Sequence, residues 1–177
     1  MDRRQFLRAG LAAGAVAVFS PRVLLARDSS VPLSPEALKS LDVSPFVYVS
    51  PLRLDGSESS CHGEVWFAWL DNAVLTTVAS DRWKTVALDR GLEYAQIWVG
   101  DYGRWKKMGV VNEDFRAGPS FRAKAEKLTD PALMERLLAV YGRKYPAEIE
   151  KWRDRMRKGL ADGSRVLIRY TPVSKPG

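Results

Sequence analysis

The segment that most constrains the fold is residues 63–80, GEVWFAWLDNAVLTTVAS. Two apolar runs, rich in aromatic and β-branched side chains, meet there around Asp71 and Asn72. These two residue types tolerate the left-handed backbone that a tight turn requires. The pattern therefore predicts a β-hairpin that turns at 71–72, and it makes antiparallel β-structure the starting point for the rest of the chain.

Turn residues and apolar periodicity divide the remainder into further elements. Ser80 or Asp81 is expected to cap a helix that Gly91 ends, and Asp130-Pro131 supplies a cap and a first-turn proline for another. Five or six antiparallel strands with helices late in the chain predict an α+β fold, built as a small barrel. Strands are predicted at 46–56, 92–100, 104–112, 120–129 and 164–173, with 92–100 paired to 104–112, and helices at 35–41, 81–91, after 130 and at 147–161.

Size and composition suit one globular domain with a packed core. The chain has 177 residues, of which 46% are hydrophobic and 28% charged. Cys61 is the only cysteine, so an intramolecular disulfide is excluded. The net charge of +7 includes +3 from residues 1–26, and an excess of +4 spread over the remainder is weak evidence for nucleic acid. We therefore predict no nucleic-acid partner, a linker at 27–45 and a single domain at 46–173.

The N-terminus, DRRQFLRAG at residues 2–10, resembles the twin-arginine export motif. The apolar run that follows, 9–19, is shorter than the roughly 20 residues that span a bilayer. The resemblance implies a signal peptide at 1–26, export through the twin-arginine machinery, and a periplasmic or other extracytoplasmic location. Cleavage after Ala26 or Ala17, an uncleaved anchor, and a basic helix of a cytosolic protein remain as alternatives. Because this pathway carries folded cargo, the signal also favours a cofactor that is bound before export.

A second resemblance covers residues 44–173. The runs LRLDG (52–56) and EVWFAWLDNAVLTTVASDRWKTVALDRGLEYAQIWV (64–99) are similar to the pyridoxamine 5'-phosphate oxidase-like, FMN-binding split-barrel superfamily. The order of the later pieces is also similar, with a strand, a helix ending in YGRKYP and a last strand ending in IRYTP. The resemblance implies a mostly antiparallel, six-stranded split β-barrel with flanking helices, and a homodimer. It also implies a set of cofactor-binding residues: Arg53, Thr77, Ser80 and Lys84 at the flavin phosphate, and Trp66 and Phe67 near the edge of the isoalloxazine ring.

Physical chemistry supports a phosphate site after the hairpin. The start of a helix offers unpaired N–H groups to an anion, and Ser80 and Lys84 add a hydroxyl and a charge. The spacing departs from the family pattern, because three residues separate Ser80 from Lys84 and one of them, Asp81, is acidic. Two alternatives follow: Arg82 takes the place of Lys84, or phosphate binding has been lost. Arg53 as a surface residue, and Trp66 as a core or dimer-face residue, are the structural alternatives.

Two classes of function agree with these features. The first is an exported oxidoreductase that uses FMN or a deazaflavin on a small-molecule substrate, in which the cofactor carries the chemistry. No acid–base residue stands out, so catalytic residues are not predicted. The second is a non-catalytic module that carries flavin or, less favoured, haem. His62 beside Cys61 cannot form a closed zinc site and is expected to be an exposed loop residue, so no metal is predicted. RWKKM at 104–108 is interpreted as a solvated hairpin rather than a nucleic-acid patch.

Overall fold

The structure, a computed structural model, describes residues 31–174. The predicted signal peptide lies outside these residues, as does the start of the predicted linker. Helices occupy Pro35–Val43 (α1), Trp83–Asp89 (α2), Pro131–Lys144 (α3), Pro146–Ile149 (α4) and Arg153–Ala161 (α5), and Asp114–Ala117 forms one 3₁₀ turn. Strands occupy Phe46–Pro51 (β1), Glu64–Val65 (β2), Ala68–Leu70 (β3), Ala73–Ala79 (β4), Tyr94–Gly100 (β5), Lys106–Lys107 (β6), Val110–Val111 (β7), Ser120–Leu128 (β8) and Arg165–Pro172 (β9).

The main sheet is antiparallel throughout and has the strand order β2-β1-β5-β8-β9-β4-β3. This confirms the predicted α+β class. The predicted count of six strands was wrong, because the sheet has seven. It is also not closed, since no ladder joins β2 to β3 among the described residues.

The sheet nevertheless curls, because its two edge strands are consecutive in the sequence. Only Trp66 and Phe67 separate β2 from β3, and so few residues span no more than about 11 Å. The two edges must therefore approach each other, with the Trp66-Phe67 link across the gap. Phe67 is fully buried and packs into the core that the curled sheet encloses.

A second apolar layer covers the outer face of β4 and β9. Leu75 and Leu167 point outward from these strands and pack against α3, α4 and α5. The helices contribute an apolar stripe to this contact that is buried almost completely: Leu133, Met134, Leu137, Leu138, Tyr141, Ile149, Met156 and Leu160. The late helices are thus fixed to one side of the barrel, where they form one wall of the site described below.

The predicted turns and caps are confirmed at several points. Asp71 and Asn72 adopt φ of 52° and 57°, and the hairpin pairs Leu70 with Ala73 as expected. Asp130 caps α3, because its side chain accepts hydrogen bonds from the N–H groups of Ala132 and Leu133. Gly91 follows the end of α2 and has a left-handed φ of 78°.

Other boundaries differ from the prediction. Helix α2 begins at Trp83 after Arg82, with no side-chain cap, so neither Ser80 nor Asp81 caps it. The predicted helix at 147–161 is two helices, because 3₁₀-type hydrogen bonds at 148–152 interrupt it. No helix within residues 31–174 has both the length and the apolarity to cross a membrane.

The predicted pairing of 92–100 with 104–112 was wrong. Strand β5 lies between β1 and β8, whereas β6 and β7 form a separate two-stranded ribbon. The chain leaves the sheet at Gly100, where a Cβ would lie 2.1 Å from the Tyr102 ring. The hydroxyl of Tyr48 accepts from the Tyr102 N–H and donates to the Gly103 carbonyl, at 2.8 and 2.7 Å, and so holds the redirected backbone.

Candidate functional site

Three buried hydroxyl groups form hydrogen bonds with the backbone of the Trp66-Phe67 link. The Trp66 carbonyl accepts from Thr76 Oγ1 at 2.8 Å and from the Tyr141 hydroxyl at 2.7 Å. The Phe67 N–H donates to the Tyr145 hydroxyl at 3.1 Å. The Trp66 ring stacks on Tyr145, with centroids 4.5 Å apart and planes 7° from parallel. These contacts fix the orientation of the Trp66 indole at the junction of the sheet and the helices.

A cleft of about 240 Å³ opens beside this indole, between β4 and β9 on one side and α3 and α5 on the other. We call it the β4–α5 cleft. Its aromatic and aliphatic walls carry a few polar groups, which is the usual composition of a small-molecule site. The lining residues are Val65, Trp66, Thr76, Thr77, Tyr141, Trp152, Met156 and Arg165.

Arg165 is the only charged group among those lining residues. Its Nη1 lies 3.5 Å from the Thr77 carbonyl, and no ion pair within residues 31–174 involves its guanidinium. Burial lowers the pKa of Arg165, and the nearby charge of Arg155 lowers it further. Gly159 makes room for this side chain, since a Cβ there would lie 2.8 Å from Arg165 Cγ and Cδ. The cleft therefore holds a half-buried positive charge that has no carboxylate partner in the described part of the chain.

Thr77 supplies the second unsatisfied group. Its Oγ1 is buried and has no hydrogen-bond partner in the described part of the chain. Buried hydroxyls are almost always paired, so Thr77 Oγ1 is an unsatisfied polar atom at the wall of the cleft. Thr77 and Arg165 are thus neighbouring polar residues of this wall.

No family model and no curated protein matches this chain. Solved structures do match. The conserved hypothetical protein Rv2991 of Mycobacterium tuberculosis is 19% identical, with a TM-score of 0.55 over 82% of this chain and 84% of that one. The heme storage protein HutZ of Vibrio cholerae is 13% identical, with a TM-score of 0.51 over 82% and 93%. A candidate 5-nitroimidazole antibiotic resistance protein of Bacteroides thetaiotaomicron is 13% identical, with a TM-score of 0.50 over 80% and 81%.

This chain shares the fold of these solved structures, and its α+β arrangement is consistent with the predicted split barrel. At these identities the likeness concerns the path of the chain alone. The split barrel therefore supplies the scaffold, and the side chains of this protein decide what the site can bind.

Two of the predicted cofactor residues, Trp66 and Thr77, line the cleft of this split barrel. Phe67 does not line it, because its ring faces the core with Lys144 Nζ 3.3 Å from the ring centroid. Ser80 ties the end of β4 to the turn before β9, since its Oγ and N–H donate to the carbonyls of Gly163 and Ser164.

The predicted basic residues are not brought together. Arg53 lies in an exposed turn, where it contacts Ser57 and lines a separate depression of about 220 Å³. Arg82 is exposed and lies 3.8 Å from Asp81. The Lys84 side chain packs against Gly63, where a Cβ would lie 2.5 Å from Lys84 Nζ. Burial lowers the pKa of Lys84.

The group that the sequence analysis missed is Arg165, together with Tyr141 and Trp152. Arg165 begins a strand directly after the Gly163-Ser164 turn, and no local pattern distinguishes it from the other arginines. Its pairing with Ala79 in the β4–β9 ladder is the feature that brings it beside Thr77. Only the strand order could have identified it.

The expectation that His62 is an exposed loop residue was wrong. It is 7% exposed, and its ring packs against Trp98, Trp105 and Phe115 at centroid distances of 5.6 to 6.3 Å. Its Nδ1 lies 3.8 Å from Glu58 Oε2. Burial is the main cause of its lowered pKa, so the ring is neutral near pH 7. His62 does not line the β4–α5 cleft, and residues 31–174 contain no group of three or more potential metal ligands.

Proposed function

We propose that this protein binds a flavin in the β4–α5 cleft and acts as a flavin-dependent oxidoreductase. The single observation that carries the proposal is the pair formed by Arg165 and Thr77 beside the indole of Trp66. Within residues 31–174 the guanidinium has no carboxylate partner and the Thr77 hydroxyl has no hydrogen-bond partner. The resemblance of residues 44–173 to FMN-binding split-barrel proteins supports the same class of ligand.

The donor set fits a phosphate. An arginine can donate two parallel hydrogen bonds to an anion, and such charge-assisted bonds are about twice as strong as neutral ones. Thr77 Oγ1 can donate a further bond, which would satisfy its own missing partner. A neutral ligand would satisfy the hydroxyl but would leave the Arg165 charge uncompensated in a half-buried position.

The size of the cleft bears on the oligomeric state. Sites for ligands of this kind enclose about 300–1,000 Å³, whereas the cleft of one chain encloses about 240 Å³. One chain therefore accommodates only part of a flavin, and we propose that a second copy completes the site in a homodimer.

A bound flavin supplies one- or two-electron chemistry at its ring. The protein's part is to hold the ligand and to control its surroundings. Arg165 would compensate part of the negative charge of the phosphate. The apolar side chains of Trp66, Trp152 and Met156 line the cleft and would cover part of a bound ring. The buried hydroxyls of Thr76 and Tyr141 keep the Trp66 backbone rigid, so the wall of the site is pre-organised.

Haem is the less favoured ligand. The chain contains one histidine, and His62 is enclosed by aromatic side chains away from the cleft. It therefore cannot act as an axial ligand to a haem in this cleft without leaving that aromatic environment.

Titration with FMN and with riboflavin, which lacks the phosphate, tests the proposal. We expect Arg165→Met to weaken FMN binding about 10- to 100-fold, because a charge-assisted hydrogen bond contributes about 1.5–3 kcal/mol. Riboflavin affinity should change little in the same variant. Flavin fluorescence quenching gives both dissociation constants, and absorbance of the purified protein shows whether flavin or haem is retained from the cell.

Arg53→Met is the matched control, because Arg53 is an exposed arginine outside the cleft. It should bind FMN as the wild type does. If FMN binding is lost in Arg53→Met or Lys84→Met and is unchanged in Arg165→Met, the phosphate binds where the family resemblance implies and not at Arg165. A wild-type protein that binds neither flavin would overturn the proposal altogether.

Export and location remain proposals based on the twin-arginine resemblance of residues 2–10. We propose that the protein is loaded with its ligand in the cytoplasm and exported through the twin-arginine machinery to the periplasm. Such a route suits a ligand that is not supplied outside the cytoplasm.

A further inference from the structure

The β6–β7 ribbon, residues 104–111, stands apart from the main sheet. Lys106 pairs with Val111 and Lys107 with Val110, and neither strand joins the seven-stranded sheet. Val110 and Val111 are neighbours on one strand and point to opposite faces, yet both are exposed, at 72% and 48%. The tip of the ribbon is therefore open to solvent on both faces.

The tip carries an apolar residue in a conformation that such residues rarely adopt. Met108 and Gly109 form the two-residue turn, with φ of 51° and 86°. Asn or Gly is the usual first residue of this turn, because other side chains crowd the backbone at positive φ at a cost of about 1–2 kcal/mol. Met108 is 95% exposed, so packing within the described chain does not offset this cost. A strained residue that is left exposed in this way suggests an external contact.

The charge of the ribbon has one sign. Arg104, Lys106 and Lys107 are exposed, and residues 104–111 contain no acidic side chain. None of the three takes part in an ion pair within residues 31–174. The ribbon thus combines three unpaired positive charges with the apolar side chains of Met108, Val110 and Val111.

We infer that this ribbon docks on an anionic lipid bilayer, with Met108 and the valines in the interface and the cations at the headgroups. A bilayer of this kind offers both an apolar layer and negative charge, which matches the two properties of the tip. Each lysine or arginine near an anionic surface contributes about 1 kcal/mol, and apolar side chains add to this as they leave water. The contact is peripheral and independent of the flavin proposal.

Two other partners fit less well. Nucleic acid is disfavoured because the only aromatic side chain of the ribbon, Trp105, packs against His62 at 5.6 Å with its Nε1 buried, so it cannot stack on a base. Ribbon-to-ribbon contact between two copies would bring like charges together without any carboxylate between them.

The experiment compares binding to two kinds of vesicle, phosphatidylcholine alone and phosphatidylcholine with about 30% phosphatidylglycerol. All proteins keep the full chain, so any contribution of residues 1–30 is common to them. The wild type should bind the anionic vesicles more tightly. Lys106→Glu with Lys107→Glu should reduce that binding about 10- to 30-fold, the loss of two contributions of about 1 kcal/mol each. The matched control, Lys39→Glu with Lys158→Glu, makes the same change of net charge at exposed lysines elsewhere and should have much less effect.

A second variant separates lipid contact from damage to the fold. Met108→Asn creates the Asn-Gly turn that this backbone favours, so it should raise the urea midpoint while weakening vesicle binding several-fold. Leu54→Asn, at another exposed apolar residue, should leave vesicle binding unchanged. Equal binding to both vesicles, or equal losses in ribbon and control variants, would overturn the inference. A molar mass of the ribbon variants in solution that differs from that of the wild type would also overturn it, because the ribbon would then contact a second copy. So would ribbon-dependent binding to single-stranded DNA in place of vesicles.

Discussion

The Tyr145 hydroxyl holds together the point where the curled sheet meets its helices. It donates to the Pro45 carbonyl at 2.7 Å and accepts from the Phe67 N–H at 3.1 Å. Tyr145→Phe removes this hydroxyl but keeps the ring that stacks on Trp66. The loss of one hydrogen bond contributes about 1 kcal/mol, and leaving the buried Phe67 N–H without a partner contributes about 1–3 kcal/mol more. We therefore expect the free energy of unfolding to fall by about 2–4 kcal/mol.

Urea unfolding followed by tryptophan fluorescence measures this change. The slope of the transition should stay constant, since the substitution does not alter the surface exposed on unfolding. Tyr94→Phe is the control, because Tyr94 is 40% exposed and should change the free energy by less than about 0.5 kcal/mol. Both variants are compared at one protein concentration, so that association affects them equally. If Tyr145→Phe is no more destabilising than Tyr94→Phe, the hydroxyl does not hold the Trp66-Phe67 link.

Two further predictions concern α3. Asp130→Ala removes the side chain that accepts from two free N–H groups at the start of the helix, and should lower the free energy of unfolding by about 1 kcal/mol in urea, whereas Asp81→Ala, which removes no cap, should not. At the other end of α3, burial lowers the pKa of Lys144 from 10.5 to about 8. Between these pH values the unfolded chain binds more protons than the folded one, so this lysine makes stability rise with pH. The unfolding free energy of the wild type minus that of Lys144→Met should therefore increase from pH 8 to 10.5. A constant value of this difference would contradict the assignment.

Several elements could be predicted from sequence because their causes are local. The turn at Asp71-Asn72 depends on two residues that accept left-handed backbone, and the start of α3 depends on Asp130 beside a proline. Neither requires knowledge of a distant partner. The start of α2 at Trp83 and the break between α4 and α5 at 149–153 could not be placed in this way. No side-chain cap marks the first, and the second lies in 3₁₀-type hydrogen bonds that no cap or proline signals.

The pairing of strands was harder to predict for the opposite reason. Residues 92–100 and 104–112 both contain apolar and aromatic side chains, and the short connection DYG between them suggests a hairpin. In the structure the chain turns away from the sheet instead, and the Tyr48 hydroxyl binds the backbone of Tyr102 and Gly103 at this point. This contact joins residues 54 positions apart, so no local pattern reports it.

The cofactor-binding residues that the family resemblance implies stay a prediction. The fold brings Trp66 and Thr77 to one cleft and leaves Arg53 in a distant turn. It also adds Arg165, which lies 88 residues from Thr77 in the chain. Its place in the cleft depends on burial and strand pairing, which no property of its neighbours in sequence reports.

The amino-acid sequence alone determined the α+β fold class of this protein, because its turn residues, caps and apolar periodicities predict antiparallel strands with late helices. The tertiary structure decided which strands are neighbours, that the two sheet edges meet at Trp66-Phe67, and that Arg165 faces a cleft while His62 is enclosed. The physical reason is the distance along the chain over which each kind of interaction acts. Turn and cap energies act over a few residues and can be read in order along the chain. Burial and pairing of charge depend instead on atoms that come together only after the whole barrel has curled.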